Sequence, residues 1–142
     1  MSKEANLQAQ VKFGEAVVSG HLEGIRDVVA ADCVDHDPAQ GQVPGPEGFI
    51  FFFGQFRAAF PDLNLSVDHL VQDDDNVAFA YTITGTHKGD LFGIPPTGKK
   101  IKVRGLQISR FEGGKLVERW GSSDQLGILQ QIGAVPRSRG GA

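Results

Sequence analysis

Cysteine is almost absent: Cys33 is the only one in 142 residues, so no intramolecular disulfide can form and no second thiolate is available for a metal site. The fold must rest on burial and hydrogen bonding. Long apolar runs are missing too. The longest, residues 49–53, falls far short of the roughly 20 residues of a membrane-spanning helix. The N-terminus carries Lys3 and Glu4 and no apolar segment of a secretory signal, so a cytoplasmic location is expected, with no membrane partner. Positive charge is not in excess. Fourteen Lys and Arg face seventeen Asp and Glu, a net charge of -3, which argues against nucleic acid as a partner. Phosphate-binding loops, dinucleotide glycine fingerprints, nucleophile elbows and paired-histidine zinc helices are all lacking. The simplest expectation is a site with no cofactor and no metal.

What is present describes one globular domain. With 40% hydrophobic and 22% charged residues the chain can bury a core, and its length leaves no room for a second. We therefore assign residues 1–142 to one domain and read 134–142 as a flexible tail. Leu7, Val11, Phe13, Val17 and Val18 follow helical spacing over residues 5–18, and Leu22, Ile25, Val28 and Val29 suggest a second short helix. The polar cluster at residues 32–38 then marks an element boundary. Pro46 suits the first turn of a helix whose Phe49, Ile50, Phe52, Phe53, Phe56 and Phe60 make a wide apolar face.

From Asp62 the period changes to two. Residues 63–72, 77–87, 101–111 and 115–121 predict three or four antiparallel strands, interrupted at 88–100 by a proline- and glycine-rich excursion of lid-like character. Residues 124–132 predict a last helix, stopped by Gly133 and Pro136. Helices followed by a meander describe an α+β domain, and a curved sheet wrapped on helices leaves a concave pocket suited to a small ligand.

Alternation places Tyr81, Ile83, Gly85 and His87 on one face, with Val103, Gly105, Gln107 and Ser109, and Val117, Arg119 and Gly121, on the neighbouring strands. Leu106 and Ile108 make the opposite face of their strand apolar as well, so either both faces are covered or Gly105 marks a bulge. His87 suits general acid–base work, or is a strand-end histidine beside the loop. Gln107 can orient a carbonyl or sit as a satisfied amide, and Arg119 can pair with a carboxylate or enolate oxygen if it faces inward. Asp35, His36 and Asp37 put carboxylates around an imidazole, although consecutive residues cannot all face one way; a turn held by aspartate hydrogen bonds is the alternative. Asp124 is placed to cap the last helix, and Trp120 can serve as pocket wall or core.

Six segments carry a family resemblance: residues 34–38 (VDHDP), 45–49 (GPEGF), 60–63 (FPDL), 85–89 (GTHKG), 92–99 (FGIPPTGK) and 124–133 (DQLGILQQIG). Together they make the chain resemble the SnoaL-like polyketide cyclases and predicted ester cyclases of the NTF2-like superfamily, over nearly its whole length. That resemblance implies a cone of N-terminal helices packed into a strongly curved antiparallel sheet. It also implies a cofactor-free ring closure on a ring-containing or acyl substrate, and association as a homodimer or higher homo-oligomer. The family's aspartate maps onto Gly121 and one of its histidines onto Gln107, while the histidine of the Gly-x-His pattern is kept as His87. The catalytic candidates are accordingly His87, Asp124, Asp35 and His36. Gln107, Arg119, Tyr81, Trp120, Phe53 and Phe56 are the substrate-binding candidates. Two alternatives stay open: a binding protein that has lost the cyclase aspartate, or a related epoxide hydrolase, isomerase or hydroxylase-type activity.

Overall fold

A computed structural model describes residues 3–136, so most of the tail assigned to 134–142 lies outside the described residues. The elements run α1 (Lys3–Ser19), a 3-10 turn (Leu22–Asp27), β1 (Val29–Asp35), α2 (Pro46–Ala59), β2 (Asn64–Gln72), β3 (Asn76–Thr86), β4 (Lys100–Glu112), β5 (Lys115–Ser123) and α3 (Gln125–Gln131). The five strands form one sheet in the order β1-β5-β4-β3-β2. No helix among the described residues is long and apolar enough to cross a membrane.

The aromatic stripe on α2 supplies much of the packing. Phe49, Phe56 and Phe60 are buried, and the rings of Phe13, Phe49, Phe52, Phe53, Phe56 and Phe60 meet in a chain of edge and stacked contacts that joins α1 to α2. Each fully buried ring contributes up to about 3 kcal/mol of burial free energy. Phe51, on the opposite side of α2, stays exposed.

Inner and outer rows of the sheet follow the predicted alternation on β3 and β4. Their pairing runs without a shift from Asn76↔Arg110 to Thr86↔Lys100, so Gly105 is not a bulge. The glycine has another reason: a Cβ there would overlap the Tyr81 ring, which lies across it. Leu106 and Ile108 are exposed on the outer face. On β5 the register slips between Arg110 and Phe111, which puts Leu116 rather than Val117 opposite Phe111 in the inner row. Further irregularities at Val67/His69 on β2 and Val29/Val34 on β1 add bends to the sheet.

Residues 29–35 depart most from expectation. Val29 leaves the short helix and opens a fifth strand, parallel to β5, with Val34↔Glu118 and Asp35↔Arg119 in register. The partner lies more than eighty residues away, and no local propensity announces a seven-residue edge strand containing two aspartates. Gly45 fastens this edge: its N–H donates to the Cys33 carbonyl at 3.1 Å, and its φ of 79° belongs to the left-handed region. A Cβ at Gly45 would also strike the Ala31 carbonyl oxygen. Gly45→Ala is therefore expected to lower unfolding free energy by about 2–3 kcal/mol in urea melts, because strain and a backbone clash coincide.

Candidate functional site

Between the inner sheet face and the helices lies an open cavity of about 1770 Å³. Its apolar wall includes Phe49, Phe52, Phe53, Phe56, Leu65, Phe79 and Ile83, with Leu91 and Phe92 from the β3–β4 excursion at the edge. Phe92 holds a positive φ of 47°, unusual for a bulky residue. Polar groups gather on the β5 side: Gln107, Arg119, Tyr81, Asp35, Asp37 and Asp124 all reach the cavity.

Arg119 organises this side. Its Nη1 donates to Asp35 Oδ1 at 3.0 Å and to Oδ2 at 3.2 Å, and its Nε donates to Gln107 Oε1 at 3.0 Å. Gln107 Nε2 then donates to the fully buried Ser109 Oγ at 3.0 Å. Asp35 also accepts from Gln42 Nε2 on Oδ2 and from the Asp37 N–H on Oδ1, both at 3.0 Å. The Asp35 side chain is 6% exposed and that of Arg119 17%, so both charges are largely removed from water. Such a pair repays its desolvation only with good geometry and further hydrogen bonds, which Gln42 and the Asp37 N–H supply to the carboxylate and Gln107 to the guanidinium.

Arg119 Nη2 makes no hydrogen bond among the described residues and lies 2.6 Å from where a Cβ on Gly121 would stand. An unspent N–H thus overlies a bare stretch of backbone. Tyr81 is buried, and burial pushes its phenol up against the opposing influence of Arg119, so it stays an O–H donor at neutral pH. Tyr81 lies across Gly105 and Arg119 across Gly121 on the neighbouring strand, so two donors line the same face of the cavity. That is the arrangement needed to hold an oxygen that gains negative charge.

The other candidates are placed elsewhere. His36 and Trp120 do not line the cavity: their rings stack at 4.6 Å, 10° from parallel, and His36 Nε2 meets Glu118 Oε2 at 2.8 Å. Glu118 and Trp120 pair with Arg110 and Ile108 in the outer row, so this group belongs to the opposite face of the sheet. His87 is fully buried outside the cavity wall. The Thr97 N–H donates to its Nδ1 at 3.2 Å, while backbone bonds from His87 to Lys99 and from Gly98 to His87 tie the excursion to the sheet end. Nε2 has no hydrogen-bond partner among the described residues. Asp124 lines the cavity but also caps α3, accepting from the Gly127 N–H at 2.8 Å.

Ser109 lies beneath Gln107 on the face that alternation gave it, whereas two contributors carried no sequence signal: Gln42 from a loop, and Gln10 of α1, whose buried Oε1 has no partner among the described residues. Cys33 lies behind the site, where burial and then Asp35 and Asp32 push its thiol up to about 12, leaving it protonated and unreactive. No cluster of three or more His, Cys, Asp or Glu suited to a metal ion occurs among the described residues.

A family profile described as SnoaL-like polyketide cyclase matches residues 8–132. The chain belongs to that family. Among curated SnoaL-like relatives, aklanonic acid methyl ester cyclase DnrD of Streptomyces peucetius is 23% identical over 125 residues, covering 84% of each chain. Nogalonic acid methyl ester cyclase of Streptomyces nogalater is 28% identical over 90 residues, covering 63% of this chain and 67% of its own. The wild-type IdmH structure from Streptomyces antibioticus superposes with a TM-score of 0.78 at 34% identity, over 90% of this chain and 98% of its own. TsrD of Streptomyces laurentii shares the fold at a TM-score of 0.86 and 24% identity, over 95% and 99% of the two chains.

Within this SnoaL-like cavity the Asp35–Arg119 pair is the element most sensitive to loss of one partner. Asp35→Ala strands a largely buried guanidinium and is expected to cost about 3 kcal/mol in denaturant titration. Added to Arg119→Met it should cost little more, so the double-mutant cycle should return a large coupling energy.

Proposed function

We propose that this chain is a cofactor-independent enzyme that moves a proton beside a carbonyl of a ring-containing or acyl ester held in the apolar cavity, ending in ring closure as in polyketide ester cyclases. The observation that carries this reading is the Arg119 guanidinium, fixed by Asp35 and Gln107 with Nη2 unspent toward the cavity. Loss of a proton from a carbon next to a carbonyl leaves the charge on the carbonyl oxygen. A donor set in place beforehand, in a site with little water, stabilises that oxygen without rearranging during the reaction. The chain's own groups divide the work: phenylalanines exclude water and stack on the substrate, Gln107 and Asp35 hold Arg119 in position, and Arg119 with Tyr81 receives the enolate oxygen. Ester carbonyls suit this pair, and the two curated relatives are both named as methyl ester cyclases.

A second reading, a binding protein without catalysis, draws on one feature. Asp35, the carboxylate next to Arg119, has both oxygens occupied and is not available to take a proton. A panel of aryl-substituted keto methyl esters separates the two. Turnover to a ring-closed product by the purified protein supports the enzyme; saturable binding of the same esters without turnover supports the binder. For the enzyme, Arg119→Met is expected to reduce kcat/KM by about 100- to 1000-fold, the magnitude seen when one pre-placed oxyanion donor is removed. A change below threefold would reject Arg119 as the group that receives the charge.

A further inference from the structure

We propose that Asp37 is the carboxylate that takes and returns the proton in this cavity. The assignment rests on the proton-transfer reading above and names the group which that reading requires. Four carboxylates reach the cavity: Glu15, Asp35, Asp37 and Asp124. Asp35 is saturated by Arg119, Gln42 and the Asp37 N–H, so protonating it would undo the network that holds Arg119. Asp124 also keeps one oxygen without a hydrogen bond among the described residues, but its Oδ1 is spent on the Gly127 N–H and its Oδ2 stands where a side chain on Gly127 would, so the group sits on the first turn of α3 and not at Gly121 beside Arg119. Glu15 of α1 is exposed, as Asp37 is, but has no hydrogen bond among the described residues to orient it. A base must be held in place to act, and this one is not.

Asp37 is held and has an oxygen to spare. Its Oδ2 accepts the Gly121 N–H at 2.9 Å, while Oδ1 has no partner among the described residues. Its own N–H is fixed on Asp35 Oδ1, and the His36 N–H donates to the Arg119 carbonyl at 2.8 Å, so the chain beyond β1 keeps pairing with β5 as far as this point. Asp37, on the backbone N–H, and Arg119 Nη2, in the space a side chain would take, therefore converge on Gly121. A base and an oxyanion donor beside one open position match what abstraction next to a carbonyl needs.

In the step itself, Asp37 Oδ1 takes a proton from the carbon adjacent to the substrate carbonyl. The C–H electron pair forms the enolate double bond, and the carbonyl π pair moves onto oxygen, facing Arg119 Nη2 and the Tyr81 hydroxyl. The enolate carbon then bonds to a second carbonyl carbon of the same substrate. The oxygen of that second carbonyl takes the proton back from Asp37. Nothing is oxidised or reduced, and the carboxylate is regenerated.

Deuterium uptake at the α-carbons of 2-tetralone, followed by mass spectrometry with the full-length protein in D2O, isolates the proton step from ring closure. The wild type and Glu15→Gln should exchange at equal rates. Asp37→Asn, whose amide oxygen still accepts the Gly121 N–H, should fall at least about 100-fold with unchanged 2-tetralone affinity. Added formate should restore exchange to Asp37→Ala, an effect that a purely structural role does not produce. Wild-type exchange that survives in Asp37→Asn, is lost instead in Asp124→Asn, or is not restored by formate overturns the assignment alone. Absence of exchange by the wild type overturns the proton-transfer reading and the assignment with it.

Discussion

The parallel pairing of β1 with β5 is the constraint on which the site depends, and the Asp35–Arg119 ion pair is its chemical expression. A lone arginine on the inner face of a half-closed sheet would lose several kcal/mol of hydration with nothing to replace it. Register solves this by setting Asp35 beside Arg119 across two adjacent strands, so the counter-ion arrives with the backbone rather than by a flexible reach. Gln107 then accepts from Arg119 Nε and Gln42 donates to Asp35, which leaves Nη2 as the open donor of the pair. A cation neutralised in this way stays charged yet cannot turn toward solvent. That fixed direction, more than the charge, is what distinguishes it from a surface arginine.

Two glycines complete the floor. Gly105 and Gly121 stand in the inner rows of β4 and β5, and each is overlain by a side chain from nearby: the Tyr81 ring crosses Gly105, and the Arg119 guanidinium folds onto Gly121. Both large polar groups thus lie flat along the sheet instead of standing upright into the cavity. A side chain at either position would lift its neighbour into the cavity. The glycines therefore shape the cavity floor, although they bring no functional group of their own.

Periodic elements were legible from sequence, because periodicity reports burial directly. The phenylalanine stripe of α2, the alternation of β3 and β4, the capping role of Asp124 and the irregular 88–99 excursion all follow from local pattern. Features set by distant pairing did not show. Residues 29–35 carry no strand signature because the hydrogen bonds that make them a strand come from β5. The inner row at Leu116 was displaced from Val117 because a bulge shifts parity without leaving a composition cue. His36 and Asp35 are neighbours, but an edge strand turns one to the outer face and the other inward. A glycine-histidine pattern likewise cannot say whether His87 faces a cavity or is clasped by the loop that follows it, as here by Thr97.

Division of labour within the site explains how one fold can host different reactions. The apolar shell and the Arg119 anchor depend on packing and register, so they are difficult to alter without loss of stability. A group at the mouth, delivered by the turn after β1 or by the cap of α3, rests on one or two hydrogen bonds and can move between positions at little cost to the fold. Gly121 illustrates the point: it brings no side chain of its own, and Asp37, from the segment that follows β1, accepts its N–H. The apolar shell and the held Arg119 are therefore the rigid part of this cavity.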